Sequence, residues 1–110
     1  MNVAAPKGFR NITPAEFVAL APRPRIIDVR EPDEFTGQLG HVPGAELVPI
    51  ATVLTAAQPW DREQRFVIAC RSGARSARAA SSHVALGFMN VMNLDGGMGA
   101  YVEAGLPVER

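Results

Sequence analysis

The 110-residue chain reads as one α/β domain, a parallel sheet covered by helices on both faces. Apolar runs of strand length alternate with helix-like segments along the whole chain. Two of those runs, "RIIDV" from residue 25 and "RFVIA" from residue 65, have the continuous apolar character of strands buried on both sides. The segment after the second run is rich in alanine and serine, and such small side chains let a helix approach a sheet closely. A chain of this length is near the commonest domain size and buries roughly two thirds of its unfolded surface.

Each element has its own local signature. Thr13, Pro14 and Glu16 make a helix start: a hydroxyl cap, a proline at the first helical position and a carboxylate placed to reach back. That helix runs to about Leu20, where "APRP" stops it. "RIIDV" is a strand, and "EPDEF" resumes helix with Pro32 in its first turn. "GQLGHVPGAELVPI" is a loop punctuated by glycine and proline that leads into a short strand around Ala45 to Val48. "ATVLTAA" is weakly helical and "QPWD" breaks it. "RFVIA" then delivers the chain to Cys70. From Arg75 to Leu86 a helical stripe is marked by Ala77, Ala80 and Val84, and Gly87 is a natural stop. "NVMNL" is the last strand and "DGGMGAYVEAG" a turn with a short helix. With no repeat, low-complexity stretch or linker, residues 1–110 are expected to form a single domain.

Composition narrows the function. Eleven basic and eleven acidic residues cancel, and the basic ones are scattered, so neither nucleic acid nor an anionic membrane is an expected partner. The stretch "MNVAAPKGFRN" lacks the apolar core of a secretory signal, and no run approaches the ~20 apolar residues of a membrane span, which points to the cytoplasm. A single cysteine excludes an internal disulfide and an internal resolving thiol. Lys7 is the one lysine, which argues against lysine-based covalent chemistry. His41 and His83 are too far apart for a recognisable metal spacing, so no metal is expected.

The chemistry concentrates in "CRSGARS", residues 70–76. Ligands of open α/β sheets sit beyond the carboxyl ends of the strands, where Cys70 falls, with a helix about five residues on. A short loop between strand end and helix start turns successive backbone N–H groups inward, and the helix terminus adds positive potential. Gly73 supplies the freedom for the curl, and Arg71 and Arg75 bring guanidinium groups suited to oxyanions. Such surroundings favour thiolate over thiol. The competing reading is an inert, buried structural cysteine, the commoner fate of a free thiol. The polar, arginine-flanked position of Cys70 favours the nucleophile.

Four segments together resemble the single-domain rhodaneses: "IIDVREPDEF" (26–35), "GHVPGAELVPI" (40–50), "CRSGARS" (70–76) and "LDGGMGAYVEAGLPVE" (94–109). The resemblance implies a rhodanese-like α/β fold with a central five-stranded, mainly parallel sheet. It also implies a sulfurtransferase whose Cys70 takes the outer sulfur of a donor such as thiosulfate as a persulfide and passes it to cyanide or a thiol. Amides of Arg71, Ser72, Gly73, Ala74 and Arg75 would cradle that sulfur. Arg71 or Arg75 would bind the donor's anionic end, and Ser76, Asp28 and Arg30 would support the loop. No cofactor is implied. A persulfide carrier serving protein donors and acceptors is the alternative. A phosphatase or arsenate reductase of the Cdc25 type ranks lower: that family has five residues between cysteine and arginine, and here four lie between Cys70 and Arg75. Glu34 stands near where two-domain rhodaneses carry a donor-binding arginine, which weighs against thiosulfate as the physiological donor.

The remaining candidates have structural readings. Asp28 and Arg30 read best as an ion pair closing the strand-to-helix turn, and His41 as a residue that orders the "GHVPGA" loop. His83 is expected on a solvated or second-layer helix face. Met89, Met92 and Met98 are expected in the core, Trp60 at the sheet edge, and Gly96, Gly97 and Gly99 in a tight turn.

Overall fold

The computed structural model describes residues 8–110; Lys7 and the "MNVAAPK" start lie outside them. Its strands are β1 (Arg10–Ile12), β2 (Arg25–Asp28), β3 (Glu46–Leu47), β4 (Phe66–Ala69) and β5 (Val91–Leu94). Its helices are α1 (Pro14–Val18), α2 (Pro32–Phe35), α3 (Val53–Ala56), α4 (Ala74–Ala85) and α5 (Gly97–Glu103). The five strands form one sheet in the order β1-β5-β4-β2-β3, and every pairing is parallel. β4 is therefore central, and Cys70 leaves its carboxyl end.

Alternation along the strands divides the core in two. Ile27, Val29, Phe66, Ile68, Cys70 and Val91 pack on one face against Val53 of α3 and Ala79 and Ala80 of α4. On the other face Ile12, Ile26, Val67, Ala69, Met92 and Leu94 pack against Phe17 of α1 and Met98 and Tyr101 of α5. Helices thus cover both faces, as the unbroken apolar runs demand.

The capping box at Thr13 forms as expected: Thr13 Oγ1 accepts from the Glu16 amide at 3.1 Å, and the Thr13 amide donates to Glu16 Oε1 at 2.8 Å. At the start of α2 the Glu31 amide donates to Glu34 Oε1 at 3.0 Å, and the Glu34 amide donates to the Glu31 backbone carbonyl. β1 has no counterpart among the segments read as strands, because three residues beside a helix cap carry no periodicity of their own. Its partner in register, β5, is some eighty residues away.

Three sequence expectations are corrected. His83 is fully buried rather than solvated, because α4 turns Ser76, Ala79, Ala80 and His83 inward; Ala77 and Val84 only flank that face. Met89 is 69 % exposed in the turn between α4 and β5, whereas Met92 and Met98 are core residues. Trp60 packs edge-on against Phe66, at the start of the central strand rather than at a sheet edge, with the Arg25 guanidinium 4.1 Å from its ring centroid. Among the described residues, no helix is long and apolar enough to cross a membrane.

Candidate active site

The chain leaves β4 at Cys70, curls through Arg71, Ser72 and Gly73, and enters α4 at Ala74. Gly73 caps the helix with φ of +99°, a left-handed conformation that side chains resist, and so permits the curl. The loop is held from behind by α5. The Met98 amide donates to the Cys70 carbonyl at 2.8 Å and the Gly99 amide to the Arg71 carbonyl at 3.0 Å. Gly97 makes this approach possible, since a Cβ there would lie 2.5 Å from the Cys70 oxygen and 2.6 Å from the Arg71 carbonyl carbon. The glycines expected to serve a turn thus also admit a helix to the loop's outer side.

With its first carbonyls drawn outward, the loop directs donors at the thiol. Cys70 Sγ accepts from the Gly73 amide at 3.1 Å, the Ser76 amide at 3.3 Å and lies 3.3 Å from Ser76 Oγ. The side chain is fully buried, yet its sulfur faces hydrogen-bond donors as well as hydrocarbon. Burial pushes the thiol up. The Ser76 hydroxyl and the amides of Ser76, Gly73 and Ser72 together outweigh burial and bring its pKa below the ordinary thiol value. The cup thus makes an anionic sulfur easier to form than on a free cysteine.

The two arginines of the loop differ. Arg75 makes a bidentate pair with Glu34 of α2, both N···O distances being 2.8 Å. That bond, followed by the pull of partial burial in the opposite sense, leaves the Glu34 carboxyl at about 2 and the Arg75 guanidinium raised. Arg71 is exposed, and its side chain has no polar partner among the described residues. Ser72 and Ala74 are exposed on the outer rim.

Asp28 and Arg30 are each 1 % exposed and paired: Arg30 Nε and Nη2 donate to the carboxylate at 2.9 and 2.8 Å, and Nη2 also reaches the Gly40 carbonyl at 2.7 Å. The pair closes the β2–α2 turn and fastens the 40–44 loop. Neither residue hydrogen-bonds to Arg71 or Arg75. His41 stacks on Phe35 with ring centroids 3.6 Å apart, and its Nδ1 lies 2.7 Å from the Phe35 carbonyl oxygen. It is an organiser of the loop.

Sequence reading missed Asn93 of β5. It is 3 % exposed, and its Oδ1 lies 2.5 Å from Ser76 Oγ. An asparagine inside an otherwise apolar strand run was the available signal, since buried polar residues carry information that buried apolar ones do not. Among the described residues, no cluster of three or more His, Cys, Asp or Glu side chains could hold a metal.

Residues 13–104 match the Rhodanese-like domain family. The thiosulfate sulfurtransferase GlpE of Pseudoalteromonas translucida is 32 % identical over 98 residues, which span 87 % of this chain and 91 % of that protein. A sulfurtransferase of Allochromatium vinosum is 34 % identical over 83 residues, 76 % of each chain. Among solved structures, a rhodanese-related protein of Thermoplasma volcanium superimposes with a TM-score of 0.81 at 27 % identity, covering 90 % of this chain and 96 % of its own.

Proposed function

Because this chain belongs to the rhodanese-like domain family, we propose that it is a sulfurtransferase that works through a persulfide on Cys70. The observation that carries the reading is the convergence of the Gly73 amide, the Ser76 amide and the Ser76 hydroxyl on a single buried sulfur. The thiolate attacks the outer sulfur of a donor such as thiosulfate; a new S–S bond forms, the donor's own S–S bond breaks, and sulfite leaves with the electron pair. Cyanide or a thiolate then attacks the outer persulfide sulfur, and Cys70 departs as thiolate. Loop amides from Arg71 to Arg75 shelter the transferred sulfur, and Arg71, whose guanidinium is uncommitted among the described residues, meets the donor's anionic end. No cofactor or separate base is required if the nucleophile is already ionised.

Intact-mass measurement after thiosulfate treatment tests this. A gain of one sulfur atom, reversed by cyanide and absent in Cys70→Ala, is expected; no gain with thiosulfate or with a persulfide donor overturns the reading. One observation favours a second reading, a carrier loaded and unloaded by protein partners: Glu34 already occupies Arg75 and lowers the positive charge offered to a small dianion. Saturable turnover of thiosulfate and cyanide counts against the carrier, whereas efficient loading from a cysteine desulfurase with negligible thiosulfate turnover counts for it. Hydrolysis of an aryl phosphate, lost in Cys70→Ser, would instead return the phosphatase reading.

A further inference from the structure

We propose that Asn93 is a positioning residue that competes with the Cys70 sulfur for the Ser76 hydroxyl proton and thereby sets the pH at which the nucleophile ionises. The inference rests on the nucleophilic role given to Cys70 above, but its measurement requires no sulfur transfer.

Three acceptors surround Ser76 Oγ: Asn93 Oδ1 at 2.5 Å, the Gly73 carbonyl at 3.2 Å and Cys70 Sγ at 3.3 Å. The hydroxyl has one proton to give. Asn93 is the nearest acceptor, and its amide orientation is fixed from the other side, where Nδ2 donates to Asn11 Oδ1 at 2.9 Å and approaches the Gly73 carbonyl at 3.4 Å. Turning the amide over would set its oxygen against the Gly73 carbonyl oxygen. Sheet register builds this arrangement. Asn93 pairs with Asn11 of β1 on one side and Ile68 of β4 on the other, so its side chain emerges on the face that carries Cys70.

Two hydrogen-bond states follow. With a neutral thiol, S–H can donate to Ser76 Oγ while the hydroxyl donates to Asn93, and every donor is used. With a thiolate, the best use of the hydroxyl proton is on sulfur, which leaves the buried Asn93 oxygen without it. Ionisation therefore sacrifices the Ser76–Asn93 bond, and Asn93 holds the thiol less acidic than the same cup would without it.

Charged and titratable groups on the elements around this thiol are Arg71 in the loop, Arg75, Arg78 and His83 on α4, Asp33 and Glu34 on α2, Arg25 and Asp28 on β2 with Arg30 just beyond it, Asp95 after β5, and Glu103 on α5. A neutral substitution at position 93 alters none of them. That isolates the hydroxyl as the variable.

The experiment is a pH titration of thiolate absorbance in the far ultraviolet, with Cys70→Ala as the blank; a chain with one cysteine gives one thiol signal. Asn93→Leu is expected to move the thiol midpoint down by about one unit, roughly a tenfold change in the ionisation constant. In a Ser76→Ala background the same substitution is expected to move it by nothing measurable. Asn93→Val, with β-branched geometry suited to a strand, serves if the leucine variant does not fold. An unchanged or raised midpoint in the folded variant, or an equal shift with and without the Ser76 hydroxyl, overturns the proposal. Persulfide formation that fails while the midpoints behave as described would discredit the sulfurtransferase reading and leave this one standing.

Discussion

Helix α4 buries a titratable group near each of its ends, and the two meet opposite fates. At its start the Cys70 sulfur is met by two amides and a hydroxyl. Near its end His83 sits among Trp60, Phe66 and Phe88, with ring centroids 5.3 to 6.1 Å away. There Nδ1 lies 2.6 Å from the Ala79 carbonyl oxygen, which requires it to be the protonated nitrogen, and Nε2 has no partner among the described residues. Both pKa values fall, with opposite meaning. For the thiol a lower value favours charge, because donors outweigh burial. For the imidazole burial is the largest influence and Arg62 adds repulsion, against the Ala79 contact, so the neutral form is favoured. Similar enclosure eases charge on one group and favours neutrality in the other, and local hydrogen-bond partners make the difference.

The severest way to break this contrast is to withdraw the support that aims the amides. Gly97→Ala places a Cβ against the Cys70 and Arg71 carbonyls at a φ of +59°, a strained and overpacked site. We expect a loss of about 3 kcal/mol, a fall in Tm of roughly 10 to 25 °C, together with a raised thiol midpoint. Thermal melts and the thiolate titration check both parts. Ser76→Ala removes one donor and leaves the backbone intact, and should raise the thiol midpoint by about one unit.

His83→Leu tests the other end of the helix. Below an unfolded value near 6.5 the unfolded chain takes up a proton that the folded His83 resists, so the unmodified protein loses stability as pH falls. Between pH 7.5 and 5.5 the leucine variant should lose about 1 kcal/mol less, read from denaturant melts at the two pH values. An identical acid loss in both proteins would show that His83 is protonated without strain.

The smallest effect is expected at Glu34→Gln, because exposed and half-exposed pairs stabilise by about 1 kcal/mol or less. Glu34 titrates at about 2 in the folded chain against 4.5 in its absence, so its contribution is complete above pH 4.5 and disappears as pH falls towards 2. The glutamine variant should lack that acid component of the melt. It should also lower KM for thiosulfate by releasing Arg75, if the loop binds that dianion.

Much of this contrast could be read in the sequence at one end and little at the other. The cysteine, the glycine and the helix that follows are local, so "CRSGARS" announced a loop of inward amides. The inward face of α4 was less legible, because two of its four buried positions, Ser76 and His83, are polar and a search for apolar periodicity passes over them. The Glu34–Arg75 pair joins residues 41 apart, and Asn93 meets Ser76 across 17. Sequence showed the residue types but not those encounters. β1 failed for the same reason: its reality lies in β5, not in "RNI".

The clasp between α5 and the loop has a consequence for the nascent chain. Residues 97 to 99, which pull back the two carbonyls, leave the ribosome well after the sulfur they help to prepare. Until α5 docks, the Cys70 and Arg71 carbonyls lack the Met98 and Gly99 amides, and the curl that aims donors at the sulfur is held less firmly. Full support of the loop thus waits on α5, and a chain cut short before that helix is expected to hold Cys70 in a looser setting.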